Sequence, residues 1–205
     1  MQFLWLLLFF FSGSAWSRPA LPDYRMSLGN RLATDVARLN QAGRYRDAIK
    51  LSGRLVRSVG PLAPVSYEAG YAHYQLGEFG AAIRHYGVAL KRDPRLAAAA
   101  YDRGEILLLQ GDQDAATTDF MRVVRLKPNH WGGHFRLAHV AGLSGDPVLF
   151  EKHLMEALRY GFDLEIVMAD PDWNRFVTDE NMRPVLRKFV VLYGNERLSS
   201  WVGDR

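Results

Sequence analysis

Between residues 29 and 162 apolar side chains recur every three or four positions, as in Tyr67, Tyr71 and Tyr74 or in Ile83, Tyr86 and Leu90, with polar residues between them. That spacing puts them on one face of an α-helix. Each run is cut short by a glycine: Gly43, Gly77, Gly111 and Gly145. A glycine just past a helix end can take the left-handed conformation that closes it. A second helix follows each glycine at once, most plainly at Asp146-Pro147, where a capping side chain precedes a proline suited to a first turn. The pattern predicts an all-α chain of paired helices.

The interruptions are periodic. Cutting every 34 residues from Gly29 gives units 29–62, 63–96, 97–130 and 131–164, the last repeat being read as 131–162, and all four glycines fall at the fifteenth place. At a background near 7% glycine, four such matches arise by chance about once in 40,000, or about once in a thousand over all phases. The twentieth place holds Ala48, Ala82 and Ala116, with Phe150 breaking the series. The eighth place holds Val36, Gly70, Gly104 and Ala138. Small residues at these two places let paired helices approach closely where they cross. Pro94 and Pro128 stop the second helix of their units, having no amide hydrogen to continue it. One such pair cannot bury its apolar face alone, so neighbours must stack into a solenoid.

A 34-residue helix-turn-helix unit with these small residues and a closing proline resembles the tetratricopeptide repeat family. The nearest unit is "APVSYEAGYAHYQLGEFGAAIRHYGVALKRDPRL", and the third, ending "VVRLKP", is close behind. The first unit has Gly60-Pro61 where the proline should stand, and the fourth has Phe162. The resemblance implies a right-handed α-solenoid of four repeats. It also implies that the first helix of each pair lines a concave groove where partners lie. After the repeats, "GFDLEIVMADPDWNRFVTDENMRPVLRKF" resembles the segment that closes such solenoids. Its Met182, Leu186, Phe189, Val190 and Tyr193 form one apolar stripe, suited to covering the open end. The expected organisation is thus a lead-in over 18–28, repeats over 29–162, a capping segment over 163–200 and a frayed tail over 201–205.

By position in the repeat, the groove residues are Tyr67, Tyr71 and Tyr74 in the second unit, Tyr101, Asp102, Glu105 and Leu108 in the third, and Phe135, Arg136 and His139 in the fourth. Tyr67, Tyr71 and Tyr74 share one helix face, and they can either anchor a partner or pack between neighbouring first helices. The carboxylate grip of tetratricopeptide co-chaperones needs lysines and asparagines on successive first helices. Here the places hold Ala33 and Ala37, or Tyr67 and Tyr71, and Arg136 alone has a suitable type.

Composition narrows the functions further. There is no cysteine, so disulfides, thiolate metal sites and cysteine nucleophiles are excluded. His130, His134 and His139 lie close together, but His130 falls in an inter-repeat turn and no carboxylate pair completes a zinc set. Asp170 and Asp172 lack the spacing and glycine of a calcium loop. No phosphate loop, nucleophile motif or dinucleotide fingerprint is present, so the expectation is a non-enzymatic chain with no cofactor and no metal. The net charge of +4 is too small an excess to argue for nucleic acid.

The first residues are a separate matter. Phe3 to Phe11 are nine consecutive apolar residues, too few to span a bilayer but right for the core of a secretory signal. Ala15 and Ser17, or Gly13 and Ala15, fit the small-x-small cleavage rule. Residues 1–17 are therefore read as a signal peptide or uncleaved anchor, and the chain as exported, to a periplasm or beyond. Two functional readings stand. In one, the groove of an interaction scaffold binds a protein or peptide. In the other, Arg54, Arg57, Arg84, Arg92, Arg122 and Arg125 on the second helices meet an anionic envelope surface, with peripheral membrane association.

Overall fold

The computed structural model describes residues 22–203. The expectations for residues 1–17 fall outside the described residues. Eight helices form four pairs: α1 (Pro22–Gln41) with α2 (Tyr45–Val59), α3 (Ala63–Gln75) with α4 (Phe79–Arg92), α5 (Ala97–Leu109) with α6 (Gln113–Leu126), and α7 (Trp131–Leu143) with α8 (Pro147–Arg159). Each pair also packs on the next, α1 and α2 on α3, α4 on α5 and α6 on α7, which makes the stack a solenoid. Helix α1 starts ahead of Gly29, inside the stretch expected as a lead-in.

The turn between paired helices is the same in all four. Gly43, Gly77, Gly111 and Gly145 have φ of 70°, 72°, 81° and 72°. In the second pair the Gly77 amide donates to the Tyr74 carbonyl at 2.8 Å, and the Glu78 amide donates to the His73 carbonyl at 2.9 Å. The third repeats this with Gly111 to Leu108 and Asp112 to Leu107, both 2.9 Å. Two carbonyls that the helix end would leave unpaired are thereby satisfied, at a φ that a side chain resists. The residue after the glycine then opens the next helix. Asp112 accepts from the Ala115 amide at 3.1 Å, and Asp146 from those of Val148 and Leu149 at 3.0 and 2.9 Å.

The eighth-place glycines have a different cause. A Cβ on Gly70 would lie 2.7 Å from the ring of Tyr86, and one on Gly104 would lie 2.8 Å from the ring of Phe120. Both rings are fully buried, and each sits close against the backbone of the partner helix at that glycine. Tyr86 and Phe120 occupy the twenty-fourth place of their units, and the outer units trade the sizes. Val36 goes with Ser52 in the first, and Ala138 with Leu154 in the fourth, all four buried. A large residue on one helix goes with a small one on the other, which keeps the crossing filled at native density.

After α8 the chain runs through α9 (Ile166–Ala169), a single 3-10 turn (Pro171–Trp173), α10 (Asn174–Thr178), α11 (Met182–Tyr193) and α12 (Glu196–Gly203). Trp173 is fully buried and anchors this segment. Its ring stacks on Phe135 at 4.9 Å and meets Phe150 at 5.6 Å and Phe176 edge-on at 5.3 Å. Phe150, which breaks the alanine series, is thus fully buried beneath the cap. Met182, Leu186, Phe189 and Val190 are buried as the stripe requires, but Tyr193 is exposed at the end of α11. The tail also differs from expectation. Helix α12 runs through Gly203, Leu198 and Val202 are buried, and the Trp201 indole donates to Asn174 at 3.1 Å. Two apolar residues four apart were enough to dock this short helix.

One residue expected in the groove belongs instead to this core. Phe135 is 5% exposed, stacked between Phe162 at 4.5 Å and Trp173. His139 packs against the same core, 3% exposed between Trp173 and Phe176 with no hydrogen-bond partner within the protein for either ring nitrogen, yet it also borders the cavity that Tyr74, Glu105 and Arg136 line. The capping segment packs on α7 through Trp173 and Phe176. The other histidines are held separately. His130 caps α7 by accepting from the Gly133 amide at 3.0 Å. His134 Nε2 lies 2.9 Å from the Pro128 carbonyl, which can only accept, so His134 donates there. A neutral His134 must then accept at Nδ1, where His153 Nδ1 approaches to 3.3 Å and donates.

The crossing predicts a coupling. Gly70→Ala should lower stability by about 1–3 kcal/mol despite alanine's better helix propensity, because the ring of Tyr86 must move. Adding Tyr86→Leu, the combination nearest to Ala138 with Leu154, should recover more than half of that loss. Urea unfolding of both single variants and the double one checks this, and strictly additive effects would sink the size-trading account.

Burial also lowers the imidazole pKa of His139 and of His153 to about 4. The unfolded chain takes up a proton at each near pH 6.5, and the folded chain resists until about pH 4. Their neutral-state stability is therefore complete above pH 6.5 and is lost as pH falls towards 4, at about 1.4 kcal/mol per unit for each histidine. His139→Phe should flatten the stability–pH curve across that window by about this slope. Parallel curves for the variant and the parent would contradict it.

Candidate functional site

The first helices α1, α3, α5 and α7 line a run of connected cavities. Ala37, Asn40, Tyr67, Glu68 and Tyr71 line one between α1 and α3. Tyr71 passes into the next, a cavity of about 230 Å³ between α3, α4 and α5, lined by Tyr71, Tyr74, Tyr86, Tyr101, Asp102 and Glu105. Tyr74 and Glu105 pass in turn into a third of about 390 Å³, which reaches Arg136, Asp172 and Arg175. Shared walls make these one groove along the solenoid.

Tyr67, Tyr71, Tyr74, Tyr101, Glu105 and Arg136 all border this groove, at different depths. Tyr74 is the most open, at 40% exposure. Tyr71 is half-buried with its edge towards Tyr45 at 6.4 Å. Tyr67 leans on Tyr86 at 5.7 Å, and Tyr101 is held between Phe120 at 5.8 Å and His130 at 5.4 Å. The two uses open to the tyrosine face are therefore combined: the rings pack between helices on one side and face the groove on the other.

The electrostatics are set by four carboxylates and one arginine. Arg136 on α7 reaches across to α5, where its Nη2 donates to Glu105 Oε2 at 2.8 Å and its Nε lies 2.7 Å from Oε1. The same guanidinium lies 3.8 Å from Asp170 of the capping segment and 5.2 Å over the Phe135 ring. Arg136 thus ties the third repeat to the cap. Glu68 accepts from Asn40 Nδ2 at 2.8 Å, and the same amide donates to the Glu68 carbonyl at 3.0 Å, linking α1 to α3. Burial raises the pKa of Glu68, Asp102 and Glu105. The Arg136 charge pulls Glu105 part of the way back, and the Tyr67 and Tyr86 hydroxyls do so for Asp102. Burial raises Tyr101 as well, to about 12.

One groove residue, and the isolation of another, have weak signals in the sequence. Tyr86 sits on a second helix, where a groove residue is not expected, yet it lines the central cavity. The glycine opposite it, Gly70, is the one sign of its position. Asp102 is isolated because Arg103 turns the other way and grips Asp119 of α6 with two bonds of 2.7 Å. That pairing spans two helices, and no local pattern reveals it.

Comparison with known proteins agrees with this geometry. The sequence model described as a tetratricopeptide repeat matches residues 67–130. The tetratricopeptide repeat and J domain-containing co-chaperone DNJ1 of Fusarium oxysporum f. sp. lycopersici is 35% identical over 74 residues, 36% of this chain and 14% of that protein. The chain therefore spans only a small part of the curated relatives it matches. Among solved structures, YrrB, described as a TPR protein with an unusual peptide-binding site, superposes with a TM-score of 0.66 at 14% identity over 82% of this chain and 88% of that one. MamA from Desulfovibrio magneticus RS-1 gives 0.65 at 18% identity over 85% and 96%. Repeat period, turn geometry, helix pairing and sequence match converge: residues 67–130 match the tetratricopeptide repeat, and the described residues fold as a solenoid of the kind seen in tetratricopeptide repeat proteins.

Proposed function

We propose that this chain is a non-enzymatic scaffold that holds a protein or peptide partner in the groove of α3, α5 and α7. The observation that carries the reading is the row of half-buried tyrosines, Tyr67, Tyr71 and Tyr101 with the more open Tyr74, along connected cavities on one side of the solenoid. Such rings offer large apolar area with a polar tip and lose little conformational freedom on binding, because packing already fixes one side of each. YrrB, with the same fold, is described as binding peptide. Export of the chain is part of the proposal and rests on the apolar run Phe3 to Phe11.

The convex side supplies the competing surface. Arg54, Arg57, Arg84, Arg92 and Arg125 are exposed on α2, α4 and α6, and among the described residues none of them is in an ion pair. Contact with an anionic envelope polymer through these residues would weaken steeply with salt, whereas contact through the tyrosine groove would not.

A crosslinking pull-down from the native host separates the two. It compares the parent with Tyr71→Ala/Tyr74→Ala, chosen because neither ring is in the deep core, and with Arg84→Ala/Arg125→Ala, each variant first shown to keep its helical circular dichroism. Loss of one captured protein with the tyrosine variant and retention with the arginine variant is the expected result. The reverse pattern, with capture falling as salt rises, would replace the groove by the convex face.

A further inference from the structure

The central cavity has a chemistry that restricts its occupant. At about 230 Å³ it is smaller than sites that enclose cofactors or drug-sized ligands, about 300–1,000 Å³, and suits one side chain. Four tyrosines line it, and each aromatic face carries partial negative charge. Of its two carboxylates, Glu105 is answered by Arg136. Asp102 is not: among the described residues no lysine, arginine or histidine lies within ion-pair distance of it. The neighbouring Arg103 is committed to Asp119. The Tyr86 hydroxyl, on a side chain that is fully buried, also lines the cavity and has no hydrogen-bond partner within the protein. A carboxylate that has hydroxyls but no cation beside it, and a buried tyrosine next to it, thus meet at one small aromatic chamber.

We infer that this chamber receives the cationic end of a lysine or arginine side chain carried by the partner. The inference rests on the groove reading and names the chemistry of what the groove binds. A cation there donates to Asp102 and to the Tyr86 oxygen, its alkyl stem lies along the rings, and the ring faces attract its charge. The surroundings agree. Glu68 flanks the chamber from α3 and is answered only by an amide, Asn40. Every titratable group whose pKa is shifted here, on Tyr67, Tyr86, Tyr101, Glu68, Asp102 and Glu105, is displaced upwards, with burial the first cause and neighbouring negative charge adding to it for most. An anionic side chain would meet both penalties, whereas a cation meets attraction where the anion meets repulsion. The chain as a whole carries +4, so this acidic side of the groove is a local inversion of its net charge.

Ligand-observed NMR titration of the intact chain tests the assignment with three five-residue peptides, acetylated and amidated, whose central residue is lysine, norleucine or glutamate between glycine and serine. The lysine peptide should bind saturably and about tenfold more tightly than the norleucine peptide, the stem being the same and the charge absent. The glutamate peptide should be weaker still. Asp102→Asn, which keeps the shape and removes the charge, should erase the lysine preference, and Tyr71→Leu should weaken the lysine peptide independently of Asp102. Equal binding of lysine and norleucine peptides, or a preference that survives Asp102→Asn in a folded variant, overturns the inference. If that preference is absent while Tyr71→Ala/Tyr74→Ala still loses its captured partner, the groove stands without the cation. If the preference is present while capture is unaffected, the groove reading fails and the chamber remains a cation site.

Discussion

The close crossing of paired helices at Gly70 with Tyr86 and at Gly104 with Phe120 is the constraint on which the rest of this structure depends. A ring held this close to a helix backbone leaves no room for a Cβ beneath it, so the pair can approach only if the facing residue is small. That approach fixes the spacing between helices, and the left-handed glycine at each turn fixes their direction. With both set, each pair presents the same faces to its neighbours and the pairs stack as a solenoid. The outer units keep the total size with other residues, Val36 with Ser52 and Ala138 with Leu154, so the quantity held constant is volume across the crossing.

The groove follows from the same contacts. Tyr86 is held against Gly70, and its hydroxyl end reaches the cavity that Tyr71, Tyr74 and Tyr101 line from the first helices. Charge is divided by face. Exposed arginines collect on the second helices, while Glu68, Asp102 and Glu105 lie on the groove side with Arg136 the cation that answers Glu105. Arg136 also reaches Asp170, so the end of the groove is formed jointly by the last repeat and the cap.

The repeat was legible in the sequence because it depends on backbone positions that few residues tolerate. A φ near +70° selects glycine, and a closed crossing selects a small residue, so the period survives where the surrounding residues vary. The groove tyrosines were legible as members of first helices, since place in the repeat determines face. Phe135 was misplaced because the covering element is not periodic: nothing in the repeat says that Trp173 returns to that face of α7. The docking of α12 was missed for a related reason. Leu198 and Val202 are an ordinary four-residue spacing, and only the open side of α11 gives them something to cover. The isolation of Asp102 was illegible because it depends on which way Arg103 turns, and that is decided by Asp119 on the next helix.

A crystal structure of the intact chain with the central-lysine peptide bound tests the account most directly. It should place the ammonium beside the Asp102 carboxylate and within about 6 Å of the Tyr71 or Tyr101 ring centroid, with the peptide backbone lying along α3 and α5. Peptide density on the arginine-bearing face of α4 and α6, or in the groove with the lysine turned out to solvent, would contradict it.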